Sequence, residues 1–210
     1  MKKSLLFSLI VAGFVMIQCE KAPDADKAQV EEPTNETTTA PTGEPVDLNI
    51  ETSLIKWIGT KVTGKHNGIA KIKSGKVLIN ENKVTGGEFE IDMTTIEDKD
   101  LDGEMKEKLE KHLKSTDFFE VQKFPTASFK ISKIEPEADG SKVKVTGNLT
   151  MRNITKSITF PATIEYGEDK KPKAAKANFN IDRQLWGIVY KGKADDLIRN
   201  EINLDLDLRL

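Results

Sequence analysis

The side chains able to do chemistry are few: two histidines, His66 and His112, and one cysteine, Cys19, in 210 residues. A zinc site of nitrogen and sulfur ligands cannot be assembled from these without recruiting carboxylates. Asp98, Asp100, Asp102 and Gly103 reproduce the first half of a calcium loop, D-x-D-x-D-G. The twelfth position, which must supply a bidentate glutamate, is Leu109. The stretch therefore reads as a solvated turn with an aspartate capping the helix that follows, and no metal site is assigned. No G-x-S-x-G, H-E-x-x-H or glycine-rich phosphate loop occurs, so a catalytic role is not expected. His66 stands beside Asn67-Gly68, where it makes either a turn hydrogen bond or a ligand contact. Arg183 shares a strand face with Ile181, and a buried guanidinium needs a partner. Either Asp92, Asp117 or Asp196 supplies it, or Arg183 and Tyr190 meet the polar end of a bound molecule.

The elements that position these groups change period once. Leu101, Met105, Leu109 and Leu113 recur every fourth residue, with Glu104/Lys108, Glu107/Lys111 and Glu110/Lys114 at helix-supporting spacing. This predicts one amphipathic helix over about 101–115, its leucine and methionine stripe facing inward. Phe118, Phe119 and Phe124 follow and are expected to pack beneath it.

Almost everything else after Leu48 alternates as strand and turn. Ile55 and Trp57; Val77 and Ile79; Phe89, Ile91 and Met93; Phe129 and Ile131; Val143 to Met151; Ile158 to Tyr166; Ala175 to Ile181; and Ile202 to Leu210 each present one apolar face. Asn80-Glu81-Asn82-Lys83, Asp139-Gly140, Arg152-Asn153 and Gly167-Glu168-Asp169 are turns. Six or more amphipathic strands without βα alternation argue for an antiparallel sheet curled over its apolar face. A sandwich and a barrel of about eight strands both satisfy this. Glycine and alanine mixed among the large inward residues lean toward the barrel.

The N-terminus has a different character. Lys2-Lys3 and the apolar run from Leu5 to Ile17 form a signal segment over 1–18, followed directly by Cys19. The arrangement resembles a bacterial lipoprotein signal, although Met16, Ile17 and Gln18 depart from the usual pattern before the cysteine. Residues 19–47 are rich in Pro, Thr and Glu, and are expected to form a disordered tether. With 32 basic against 34 acidic residues the net charge is -2, which gives no footing for a nucleic-acid partner.

Five stretches taken together suggest a family: SLIKWIGTKVTGKHNGIAKIKSGKV from Ser53, GGEFEIDM from Gly86, HLKSTDFFEVQKFPTASF from His112, GNLTMRNITKSITFPA from Gly147 and NIDRQLWGIVY from Asn180. In order and over most of 48–210, they resemble the YceI-like family. The resemblance implies a mainly β, antiparallel lipocalin-like barrel of about eight strands, with the helix closing one end. It also implies a bacterial cell-envelope protein, lipid-anchored and facing the periplasm, or secreted if Cys19 is not lipidated. The implied ligand is a long-chain isoprenoid, a polyprenyl lipid or a quinone, with no other cofactor. Protein partners are not indicated. On that reading the cavity candidates are Trp57, Phe89, Ile91, Met93, Phe118, Phe119, Phe129, Leu149, Phe160, Phe179, Ile181, Trp186 and Tyr190, with Arg183 and His66 as head-group candidates. The alternative is an envelope interaction or stress protein with a filled barrel and no ligand.

Overall fold

Two hairpin turns set the register of the sheet. Glu81 and Asn82 take φ of 49° and 59°, and Arg152 and Asn153 take 48° and 60°. Positive φ at both central residues gives the mirror-image turn whose twist matches a two-residue hairpin. They join strands paired at Asn80↔Lys83 and Met151↔Ile154. From the second turn the period of two sends Leu149 and Met151 inward; on β6 a register shift between Val84 and Gly86 intervenes, and beyond it Phe89, Ile91 and Met93 alternate onto the same interior.

The structure, a computed structural model, describes residues 21–33, 41–137 and 141–210. Along the chain the elements are β1 (Asp26–Lys27), β2 (Gln29–Glu31), β3 (Glu44–Asp47), β4 (Leu54–Lys61), β5 (Gly64–Asn80), β6 (Lys83–Asp98), α1 (Gly103–Leu113), β7 (Thr126–Pro136), β8 (Lys142–Met151), β9 (Ile154–Tyr166), β10 (Pro172–Asp182), a 3-10 turn (Arg183–Trp186), β11 (Gly192–Lys193) and β12 (Asp196–Arg209). Strands β4 to β10 pair antiparallel in sequence, β12 fits between β10 and β4, and β9 pairs with β10. The sheet closes. The result is an eight-stranded antiparallel barrel with one helix, as the alternation and the family resemblance led us to expect.

Its closing seam is incomplete. β9 and β10 pair directly only from Thr163↔Lys176 to Tyr166↔Pro172. Beyond that, the N-terminal segment fills the gap: β1 runs parallel to β10 through Asp26↔Phe179, and β2 antiparallel to β9 through Val30↔Ile158. Ala28 is buried between them and donates its N–H to the Asn180 carbonyl at 2.9 Å. Asn180 Nδ2 in turn donates to the Pro23 carbonyl. The expected tether over 19–47 is therefore corrected where it can be seen, since 26–31 and 44–47 are paired onto the barrel. Residues 1–20, with the signal segment and Cys19, lie outside the described residues.

The helix also departs from expectation. Met105 is 61% exposed and none of its residues is fully buried. Polar groups hold it down: Lys106 reaches Glu97 at 2.9 Å, and Glu110 accepts the Asp98 N–H at 3.0 Å. Leu101, Leu109 and Leu113 are half-buried, so Met105 is the exception in the expected inward stripe. Only its last turn and the chain beyond, Leu113, Phe118 and Phe119, reach the barrel interior. Phe124 is half-buried, outside the apolar core, with Lys123 Nζ 5.0 Å from its ring.

Candidate functional site

Period-two alternation on all eight barrel strands converges on an apolar interior, and that interior is not filled. A cavity of about 150 Å³ lies toward the helix end, lined by carbon almost throughout. β4 contributes Trp57; β6 Phe89, Ile91 and Met93; β7 Phe129; β8 Leu149; β9 Phe160; β10 Phe179 and Ile181. Phe118 and Phe119 line it from the segment after α1.

Close approach of two rings depends on glycines. A Cβ on Gly68 would run into the Trp57 ring and the Glu97 carbonyl, and one on Gly147 would meet the Phe129 ring. Trp57, so seated, donates its indole N–H to the Ile69 carbonyl at 3.3 Å. The polar edge of the ring is satisfied by the wall while its apolar body faces the space.

Four phenylalanines cross the barrel as a continuous ladder. Phe89 and Phe129 lie 5.6 Å apart between centroids, Phe129 and Phe160 also 5.6 Å, and Phe160 and Phe179 4.0 Å in a stacked pair. Behind Phe89, Phe129, Phe160 and Leu206 is a second apolar chamber of about 60 Å³, bounded by residues such as Ile134, Ile164, Ala174 and Leu210. Phe89, Phe129 and Phe160 thus border both chambers and stand between them.

Two arginines line the cavity, Arg183, which is buried, and Arg199, which is exposed. Arg183 is 1% exposed and opens the 3-10 turn. Its Nε donates to the Arg199 carbonyl at 3.1 Å, Nη1 to Ile188 at 2.6 Å, and Nη2 to Tyr190 at 2.7 Å and Ile198 at 3.5 Å. Burial pulls its pKa below the ordinary guanidinium value, with Asp182 opposing. The sequence nominated Asp92, Asp117 or Asp196 as its partner, and each is engaged elsewhere: Asp92 with Thr94, Asp117 with His112, Asp196 with Lys61 and Thr63. Carbonyl dipoles, not a carboxylate, hold this cation, and its hydrogen bonds leave one Nη1 hydrogen uncommitted.

Three nominated residues are elsewhere. Trp186 is wholly buried in the core, its indole N–H on the Leu149 carbonyl at 3.1 Å, and does not line the cavity. Tyr190 stacks edge-on against His112 at 4.9 Å and beside Phe118 at 5.6 Å, behind the cavity wall. His66 belongs to β5, not to a turn, and its Nδ1 lies 2.9 Å from Asp100 Oδ2, away from the cavity. Sequence reasoning missed Leu113, Ile198, Arg199 and the inward face of β12, Ile202, Leu204 and Leu206. The β12 alternation was visible, but it holds no aromatic to draw attention.

A family model described as the YceI-like domain matches residues 41–210. The chain belongs to the YceI-like family. Among curated relatives, a UPF0312 protein of Pseudomonas putida is 35% identical over 101 residues, 46% of this chain and 52% of the relative. Protein YceI of Salmonella arizonae is 33% identical over 76 residues, 36% of this chain and 39% of the relative. The chain thus spans about half the length, or less, of the curated YceI-like proteins it matches. Among solved structures, Burkholderia cenocepacia BcnA superposes with a TM-score of 0.63 at 20% identity, covering 77% of this chain and 98% of BcnA. That likeness is one of fold.

Proposed function

We propose that this YceI-like protein binds a long apolar chain of isoprenoid type, a polyprenyl lipid or quinone, inside its barrel, and does so tethered to the bacterial envelope through a lipidated Cys19. The observation that carries the binding reading is the carbon-lined cavity with a single buried guanidinium at its wall. The ligand class rests on the family, whose barrel is of the polyisoprenoid-binding type. A chain burying about 400 Å² of apolar surface gains on the order of 10 kcal/mol before the costs of association, without any specific polar contact. Arg183, with one N–H uncommitted, suits an anionic or carbonyl head group.

Size sets a condition on this reading. A dry apolar cavity of about 150 Å³ takes a guest the size of benzene. A longer chain must displace the ladder of Phe89, Phe129 and Phe160 and run on into the second chamber. The same small volume favours the second reading, a filled barrel whose surface binds a partner in the envelope.

Native mass spectrometry of the full protein, purified from bacterial membranes without denaturant, separates the two. Adducts of polyprenyl or quinone mass support the binding reading. A protein repeatedly free of adduct, with flat tryptophan fluorescence on micromolar isoprenoid, overturns it. Because Trp57 lines the cavity and Trp186 does not, Trp57→Phe should abolish a genuine fluorescence response. Incorporation of labelled fatty acid, lost in Cys19→Ser, tests the anchor.

A further inference from the structure

Outside the cavity, where β5 passes the end of β6, His66, Asp98 and Asp100 converge so that one ligand atom from each lies within 4.8 Å of the others. Asp98 is fully buried. Its Oδ1 accepts the N–H of Leu101 at 2.7 Å and of Asp100 at 3.2 Å, whereas its buried Oδ2 has no hydrogen-bond partner among the described residues. Asp100 is arranged in the same way: Oδ1 accepts the Asn67 N–H at 2.6 Å, and Oδ2 faces His66 Nδ1 at 2.9 Å. Each carboxylate gives one oxygen to backbone donors that fix its orientation and turns the other toward the shared centre. Outer contacts of that kind orient metal ligands.

An unpaired buried carboxylate oxygen is costly, and two carboxylates facing one another need a positive charge between them. A proton shared between Asp98 and Asp100, with His66 Nδ1–H donating to Asp100 Oδ2, is the metal-free arrangement of the same groups. Two ligand atoms at right angles on bonds of about 2.1 Å stand roughly 3.0 Å apart. The His66 to Asp100 separation of 2.9 Å has that spacing, which is also that of an imidazole-to-carboxylate hydrogen bond.

We propose that His66, Asp98 and Asp100 form a site for a divalent transition-metal ion, with water completing its coordination. One imidazole and two carboxylates suit manganese, iron, cobalt or zinc better than calcium, which prefers oxygen alone. The sequence motif grouped Asp98 and Asp100 with Asp102; the fold replaces Asp102 with a histidine from the neighbouring strand. Asp100 is exposed, so the ion has a route in and room for water. Bound there, it joins β5 to the β6–α1 junction from which the helix departs.

Cobalt(II) is the probe. The full chain carrying Cys19→Ser, so that no thiol competes, is stripped with chelator and titrated with cobalt(II) while visible absorption and melting temperature are followed. The expected result is a saturable one-to-one d–d spectrum, displaced by zinc(II), with a rise in melting temperature. Affinity should fall roughly hundredfold or more in Asp98→Asn and in His66→Gln. Absence of a spectrum at millimolar cobalt, or a spectrum that both variants retain, overturns the proposal. Stabilisation of the metal-free protein by Asp98→Asn, with no cobalt bound by the parent, assigns the centre to a shared proton instead. Should Asp98→Asn fail to fold, His66→Gln, at a half-buried strand position, decides.

Discussion

Phe160 of β9 and Phe179 of β10 stack with centroids 4.0 Å apart and planes 14° from parallel, at the point where their strands have ceased to pair directly. Over them lies the N-terminal strap. Main-chain pairing, the mode in which an extended segment adds itself to an open sheet edge, is joined by the Lys27–Glu201 and Lys156–Glu32 ion pairs and by Ala28 and Val30 packing on the core. Among the described residues the seam is thus the stretch of the wall closed by a segment from outside the eight strands.

Ala28→Glu should release the strap. A carboxylate placed at this 4% exposed position in the apolar core must detach the segment or neutralise. The expected cost is about 2 kcal/mol in urea denaturation, with faster amide exchange at Ile158, Thr159 and Asn180. If the seam is the entrance, an apolar fluorescent probe should also bind and leave faster. Exchange rates identical to those of the parent would show that the strap does not close the seam.

Phe129→Ala should merge the two chambers. Phe129 touches both and links Phe89 to Phe160 in the ladder. Truncation of a buried phenylalanine costs about 3–5 kcal/mol, so the variant is best studied well below its melting temperature. Across a series of isoprenoid chain lengths, its preference should shift toward longer chains. A uniform loss of affinity at every length would mean that the ring is packing alone and no partition.

Much of this was legible in the chain. Alternation put Phe89, Phe129, Phe160 and Phe179 on one interior face, and Asn82 and Asn153 marked the turns that fix their register. What escaped has a physical reason in each case. The helix stripe was misread at Met105, which faces solvent while Lys106 and Glu110 help dock the helix through Glu97 and the Asp98 N–H. The strap escaped because Asp26, Lys27, Gln29 and Glu31 are exposed and contribute backbone bonds, so their composition matches that of a free tether. His66 met Asp98 and Asp100 through the Gly68↔Asp98 register of β5 and β6, a long-range pairing that residue spacing does not encode.

Arg183→Met should be strongly destabilising rather than a clean probe of ligand head groups. Removing the guanidinium leaves the carbonyls of Ile188, Tyr190, Ile198 and Arg199 facing an apolar side chain. Each buried carbonyl left without a donor costs about 1–3 kcal/mol. The urea midpoint should fall accordingly. Arg183→Lys, which keeps the charge but has fewer donors, should lose less. A midpoint unchanged in the methionine variant would show that the carbonyls find water and that Arg183 is free to serve a ligand.

Acid should loosen the helix through Glu97. Hydrogen bonds from Lys99 first, then Lys106, hold its carboxyl down to about 2, against an ordinary value of 4.5. Because the folded value is the lower one, the unfolded chain takes up the proton first as pH falls. The contribution to stability is complete above about 4.5 and is lost progressively toward about 2. Lys106 is the residue by which α1 is tied to β6, so protonation removes one of the two polar contacts that dock the helix. Glu97→Gln should give a protein whose stability falls less steeply between those pH values. The side-chain carboxyl resonance of Glu97 in the parent should titrate near the bottom of the same window. Titration near 4.5, with equal acid limbs in parent and variant, would show that the Lys106 contact does not hold the helix in solution.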